Sequence, residues 1–131
     1  MIERVYPTGV AAPRGPYSPG VRAGDFIFVS GQIPIDPATN QPVLGDIKTE
    51  TRQVLNNIRR ILEGCGCSMS DVVRCAVYLV DVKDFAAMNE VYTEFFGEIK
   101  PARTTIAVAA LPLPGAKLEI DAVAYRPLDA R

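Results

Sequence analysis

The 131-residue chain contains no histidine. That removes Ser-His-Asp and Cys-His nucleophile pairs and every zinc site that needs imidazole, so any chemistry must come from Glu, Asp, Tyr, Lys, Arg or Cys. Cysteine is scarce and odd in number, at Cys65, Cys67 and Cys75. A C-x-C pair without a second pair is poor metal-ligand spacing, and the flanking Gly64 and Gly66 put Cys65 and Cys67 at a helix end. Cys75 falls in an apolar run and reads as a small buried hydrophobe. Reduced thiols and no metal are expected. Neither sign of charge is in excess: 14 Lys+Arg against 15 Asp+Glu leave a net charge of -1. Such a balance offers no basic field for nucleic acid or anionic lipid. Long apolar runs are missing as well. The longest, residues 106–116, is broken by Pro112 and Pro114 and is too short to cross a bilayer. The first ten residues lack the charged and apolar regions of a secretory signal, so the expected location is the cytoplasm, with no membrane and no nucleic acid as partner. Dinucleotide, P-loop and zinc-protease motifs are absent from the sequence.

What is present suits a single domain over residues 1–131, since 48% of residues are hydrophobic and 22% charged. Proline and glycine gather at residues 13–24, 34–45 and 111–115 and punctuate the chain. Between the first two clusters, Asp25 to Ser30 reads as a strand ending at Ser30-Gly31-Gln32. From Asp46 to Glu63, Ile47, Val54, Leu55, Ile58, Ile61 and Leu62 recur at helical spacing behind a possible Asp46 cap. A second helix is expected from Asp84 to Ile99, with Phe85, Met88, Tyr92, Phe95, Phe96 and Ile99 on one core-facing stripe and Pro101 stopping it. Strands are expected at Asp71–Val80, Thr104–Ala109 and Lys117–Tyr125. The order gives an α+β domain with two helices on one face of a mixed sheet.

Two helices cover one face only, yet both faces of these strands are apolar. Phe26 and Phe28 oppose Ile27 and Val29, and Val72, Tyr78 and Val80 oppose the series from Val73 to Leu79. A homo-oligomer that packs sheet against sheet is therefore expected. In the last strand Leu118, Ile120, Ala122 and Ala124 face one way, and Lys117, Glu119, Asp121, Val123 and Tyr125 the other. Glu119, on a partly buried strand face, must be paired, hydrated in a cleft or functional.

Seven short segments, Gly15-Pro-Tyr-Ser18, Val29-Ser-Gly-Gln-Ile-Pro34, Gly45-Asp46, Asn89-Glu-Val-Tyr92, Pro101-Ala-Arg103, Leu111-Pro112 and Leu118-Glu-Ile120, run in an order and spacing that resembles the reactive intermediate deaminase family, known as Rid or YjgF. The resemblance implies a chorismate-mutase-like fold, a homotrimer with sheets inside and helices outside, and a cleft at each subunit interface. It implies a RidA-type enzyme that hydrolyses 2-iminopropanoate and 2-iminobutanoate to 2-keto acids and ammonia without a cofactor, so clearing reactive 2-aminoacrylate. By the same resemblance Arg103 holds the substrate carboxylate, for which a planar guanidinium fork is suited. Glu119 aims or activates the attacking water, Tyr17 lines the cleft and hydrogen-bonds the ligand, and Ser30, Gly31 and Asn89 form pocket walls. Thr105 adds a donor to the carboxylate.

Each position also has a plain structural reading. Arg103 can be a surface ion-pair partner, Glu119 one member of a solvated face with Lys117 and Asp121, and Tyr17 a packing anchor. Thr105 stands where many relatives have cysteine, Pro19 where they have glutamine, and the loop from Leu111 to Glu119 is one residue longer than in several of them. The rival function is a non-catalytic protein of the same fold in which Arg103 clamps a keto acid or amino acid, and a deaminase for a different imine is a further alternative. Nuclease action has no basic, aromatic-laced face to support it.

Overall fold

In the computed structural model, which describes residues 1–128, the elements follow as β1 (Ile2–Val5), β2 (Gly20–Ala23), β3 (Phe26–Gln32), β4 (Ile35–Asp36), β5 (Gln41–Pro42), α1 (Ile47–Gly64), β6 (Val72–Leu79), α2 (Phe85–Phe96), β7 (Ala102–Ala107) and β8 (Leu118–Tyr125). Helix α1 starts where its cap is. The Asp46 carboxylate accepts the Thr49 N–H at 2.8 Å, which satisfies one of the orphan donors of the first turn. The helical stripe from Ile47 to Leu62 is buried as its spacing requires.

Helix α2 is shorter than expected at both ends. A 3₁₀ turn, Val82–Asp84, precedes it, and Gly97 ends it with φ of +51°, a left-handed conformation that glycine adopts at little cost. Pro101 lies beyond the stop rather than causing it. The residues at the two ends of the expected stripe, Phe85 and Ile99, are accordingly exposed, and the core is met by Met88, Val91, Tyr92 and Phe96.

Six strands form one mixed sheet in the order β1-β2-β3-β8-β6-β7, and β4 and β5 make a separate small hairpin. The β6–β7 pairing is parallel and the other pairings of the large sheet are antiparallel. A parallel neighbour needs a crossover, and α2 supplies it. The α+β architecture agrees with the sequence expectation. Two strands of the large sheet went unread, β1 and β2, the latter hidden in the Pro/Gly-rich segment before Gly24, and so did the β4–β5 hairpin. Strand β7 begins two residues earlier than expected. In β6 the register shifts between Val72 and Arg74, so strict alternation breaks and Val73 turns outward beside Arg74.

Both helices pack on the face that carries Ile27, Val29, Cys75, Val77, Leu118, Ile120 and Ala122, and these residues form a single core with α1 and α2. The other face carries no helix. Phe26 and Phe28 of β3, Ile106 of β7 and Tyr125 of β8 stand on it at 42%, 47%, 47% and 43% exposure, with Phe26 and Tyr125 packed edge to face at 5.2 Å.

Candidate functional site

Strand β3 carries the local irregularity that builds the site. Val29 pairs with Ala122 and Gln32 with Ile120, so Ser30 and Gly31 together oppose Asp121. Such a bulge re-aims side chains and lets backbone approach a neighbour. Glu119 occupies the space so created: a Cβ at position 31 would overlap its carboxylate. Glycine is needed there because the carboxyl group lies directly over the backbone.

The loop before β2 closes over the same place. Ser30 donates its hydroxyl to the Ser18 carbonyl at 2.6 Å, and its N–H donates to the Pro19 carbonyl at 3.0 Å. The ring of Tyr17 folds against Gly15, and its hydroxyl accepts the Arg14 N–H at 3.1 Å. That leaves the phenolic proton available to a ligand. Tyr17, Ser30, Gly31 and Glu119 line one cleft of about 570 Å³, together with Arg14, Ile33 and the Pro112-Leu113-Pro114 turn.

Glu119 is half-buried and accepts no hydrogen bond among the described residues. Burial, reinforced by the neighbouring Asp121 charge, raises its pKa above the usual carboxylate value. Asp121 itself accepts the Tyr78 hydroxyl at 3.1 Å. A carboxylate with an elevated pKa in a cleft is suited to accept a proton from water.

The remaining predicted residues lie elsewhere. Arg103 sits on β7, the edge strand, in register with Cys75 of β6. In-register neighbours share a face, so Arg103 points to the helix side while Glu119 points to the open side. Its guanidinium lies over the Tyr92 ring at 4.7 Å and the Phe85 ring at 5.6 Å. This shelf explains the exposed Phe85, since cation–π contact holds a guanidinium flat and leaves its edge donors outward. Asn89 lies between Phe85 and Tyr92 on the same side of α2, four residues after one and three before the other. Thr105, two residues along β7, has a buried hydroxyl without a hydrogen-bond partner among the described residues.

Beneath Arg103, the Tyr92 hydroxyl is buried beside the Cys75 thiol and the guanidinium without a well-formed hydrogen bond to either. Burial pushes the Cys75 thiol up to about 11 and raises Tyr92 further still. A thiol in that state is a poor nucleophile. Thus the seven predicted residues fall into two groups on one chain: Tyr17, Ser30, Gly31 and Glu119 in the cleft, and Arg103, Asn89 and Thr105 on the shelf. Strand β6 intervenes between β8 and β7, which at ordinary spacing separates the two groups by about 10 Å across the sheet.

The cleft also uses residues that the sequence reading missed. Arg14 and Ile33 flank motif residues, and Pro112 to Pro114 lie in the loop noted for its length. That loop is closed at both ends on β6, the Val108 N–H donating to the Leu79 carbonyl at 2.8 Å and the Val80 N–H to the Lys117 carbonyl at 3.0 Å. Glu50 of α1, with no solvent exposure, accepts the Lys117 N–H at 2.7 Å and the Gly45 N–H at 3.1 Å, and pairs with the Lys117 ammonium at 3.3 Å.

Comparison with known proteins follows the same outline. Residues 8–126 match the model of the family described as endoribonuclease L-PSP. A RutC family protein of Pyrococcus horikoshii is 52% identical, covering 96% of this chain and 99% of its own. The human 2-iminobutanoate/2-iminopropanoate deaminase is 42% identical over 96% of this chain and 92% of its own. The crystal structure of Escherichia coli TdcF with bound serine superposes with a TM-score of 0.88 at 37% identity, covering 95% of this chain and 98% of that one. The match runs along nearly the whole chain in sequence and in fold: the protein belongs to the Rid (YjgF, endoribonuclease L-PSP) family.

Proposed function

We propose that the protein hydrolyses short 2-imino acids, with 2-iminopropanoate and 2-iminobutanoate as the reference substrates, at a cleft completed by Arg103 of a second copy. The observation that carries this reading is the Glu119 carboxylate: half-buried, raised in pKa and open to the cleft over Gly31. Arg103 lies on the edge strand of its own chain, on the helix side and apart from that cleft, and the open sheet face offers Phe26, Phe28, Ile106 and Tyr125 for burial against another sheet. A closed ring of three copies satisfies both demands.

The chemistry asks little of the protein. The Arg103 fork, held flat by Tyr92 and Phe85, takes both oxygens of the substrate carboxylate, and the Thr105 hydroxyl adds a donor. Glu119 accepts a proton from water as the water oxygen bonds to the imine carbon and the C=N π pair moves to nitrogen. It then returns the proton to nitrogen. Glu119 then takes the carbinolamine hydroxyl proton and passes it to the amine as the C=O bond forms and the C–N bond breaks, releasing ammonia, so imino acid plus water gives keto acid plus ammonia. Tyr17 donates its phenolic proton to the bound acid, and Ser30 and Gly31 shape the wall. The likeness to deaminases named for 2-iminobutanoate and 2-iminopropanoate supports this reading.

The test generates imino acids from alanine or 2-aminobutyrate with an amino acid oxidase and traps what survives with semicarbazide. Wild-type protein lowers the trapped fraction, and Arg103→Ala does not. The alternative is a ligand-binding protein without turnover: 2-oxobutanoate then binds the wild type, Arg103→Ala weakens that binding, and the trapped fraction stays unchanged. A crystal of TdcF with bound serine shows that one relative takes up an amino acid. The pH profile follows from Glu119. The working form is the carboxylate, so kcat falls as pH drops through its pKa, and the raised value places that acid limb above the range of an ordinary glutamate.

A further inference from the structure

Two charged side chains line the cleft, Glu119 and Arg14. Arg14 is tied down at two points. Its N–H donates to the Tyr17 hydroxyl at 3.1 Å, and its Nη2 donates to the Asn40 carbonyl at 2.8 Å. Asn40 is itself fixed at the tip of the β4–β5 hairpin, with φ of +58° and its N–H on the Asp36 carbonyl at 2.7 Å. One carbonyl occupies one of the five donors of a guanidinium. Among the described residues no carboxylate pairs with Arg14, whereas Lys48, Arg52, Lys117 and Arg126 each have one. The cleft therefore holds a positioned cation with unused donors and no ion-pair partner among the described residues.

The rest of the lining fixes what can reach it. Ile33, Pro112, Leu113 and Pro114 are apolar and accept a methylene chain. A second anionic group near Glu119 is repelled unless a cation offsets it, and Arg14 is the cation lining that cleft. Resting on the reading above, in which Arg103 of a neighbouring copy takes the 1-carboxylate, we infer that Arg14 selects imino acids whose side chain ends in a second carboxylate over those with a short alkyl side chain. Arg14 is thus a specificity residue at the side-chain end of the ligand, and the preferred substrates derive from acidic amino acids.

Binding and turnover are measured in parallel, so that this inference and the deaminase reading fail separately. Calorimetric titration compares 2-oxoglutarate with 2-oxobutanoate, the unreactive product acids, on wild type, Arg14→Met and Arg14→Lys, each checked by circular dichroism and oligomeric state. Wild type binds the diacid about tenfold or more tightly than the monoacid, Arg14→Met abolishes that ratio, and Arg14→Lys retains part of it. A ratio that is the same in wild type and Arg14→Met, or a wild type that prefers the monoacid, overturns the inference. The same comparison in kcat/KM uses imines made from glutamate and 2-aminobutyrate. Hydrolysis of both with a ratio indifferent to residue 14 overturns the role of Arg14 and leaves the deaminase reading standing. Selective binding of the diacid with no hydrolysis of either imine supports Arg14 and overturns deamination.

Discussion

The cleft around Glu119 and the shelf around Arg103 are built by different means. In the cleft, backbone does the placing: a bulge, a glycine without a Cβ and loop hydrogen bonds to Ser30 bring Tyr17, Ser30, Gly31 and Glu119 together within one chain. On the shelf a single cation on an edge strand is held by two aromatic faces of α2, with no carboxylate paired to it among the described residues. The first arrangement is nearly complete alone. The second has meaning only when another molecule faces it. On the proposed reading assembly and catalysis are one requirement, since neither half holds both Glu119 and the Arg103 clamp for the 1-carboxylate.

The largest effects come from removing either half. Arg103→Ala and Glu119→Gln should each lower kcat/KM by about 100-fold or more with the melting temperature little changed, since each deletes a group that binds or orients reactants. Mixing the two inactive variants after partial unfolding and refolding should restore about a quarter of the wild-type sites in a closed ring of three, because mixed rings place an intact Glu119 beside an intact Arg103. Recovery of nothing, from rings shown to be mixed, would mean that both groups act within one chain.

A smaller loss is expected at Gly31. The Cβ of Gly31→Ala displaces the Glu119 carboxylate, and kcat should fall about tenfold with KM changing less, as the water-aiming group moves and the carboxylate clamp does not. Steady-state kinetics with circular dichroism checks it. Smaller still is Tyr92→Phe. The ring stays under Arg103, the buried hydroxyl that lacks a well-formed hydrogen bond is removed, and kcat/KM should stay within about twofold, with stability equal or slightly higher. Tyr92→Leu removes the stacking face and should raise KM several-fold more than it lowers kcat.

Much of this was legible in the residues. Periodicity located α1 because its apolar residues from Val54 to Leu62 keep helical spacing and its cap is an Asp in the right place. It located β8 because one face is fully buried and the other is not. It missed β2 because four residues among prolines and glycines carry too little pattern, and it overran α2 because the helix ends on backbone geometry at Gly97 rather than on the more visible Pro101. Glu119 stood out as a carboxylate on a strand face expected to be partly buried. Arg103 had no such signal. Its shelf joins residues from α2 and β7 that come together only through the parallel crossover, and the charge of Arg14 acquires meaning only from a cleft that four separate segments enclose.

The loop that walls the cleft, held at Val108 and Lys117 on β6 and secured from outside by the buried Glu50 carboxylate, behaves as a replaceable cartridge. Its sockets belong to β6 and α1. Residues of different polarity should therefore be exchangeable from Leu111 to Pro114 without moving the strand that begins at Leu118, with Gly115, at φ of +86°, kept as glycine, and libraries confined to those four positions should yield folded proteins that differ in what they admit.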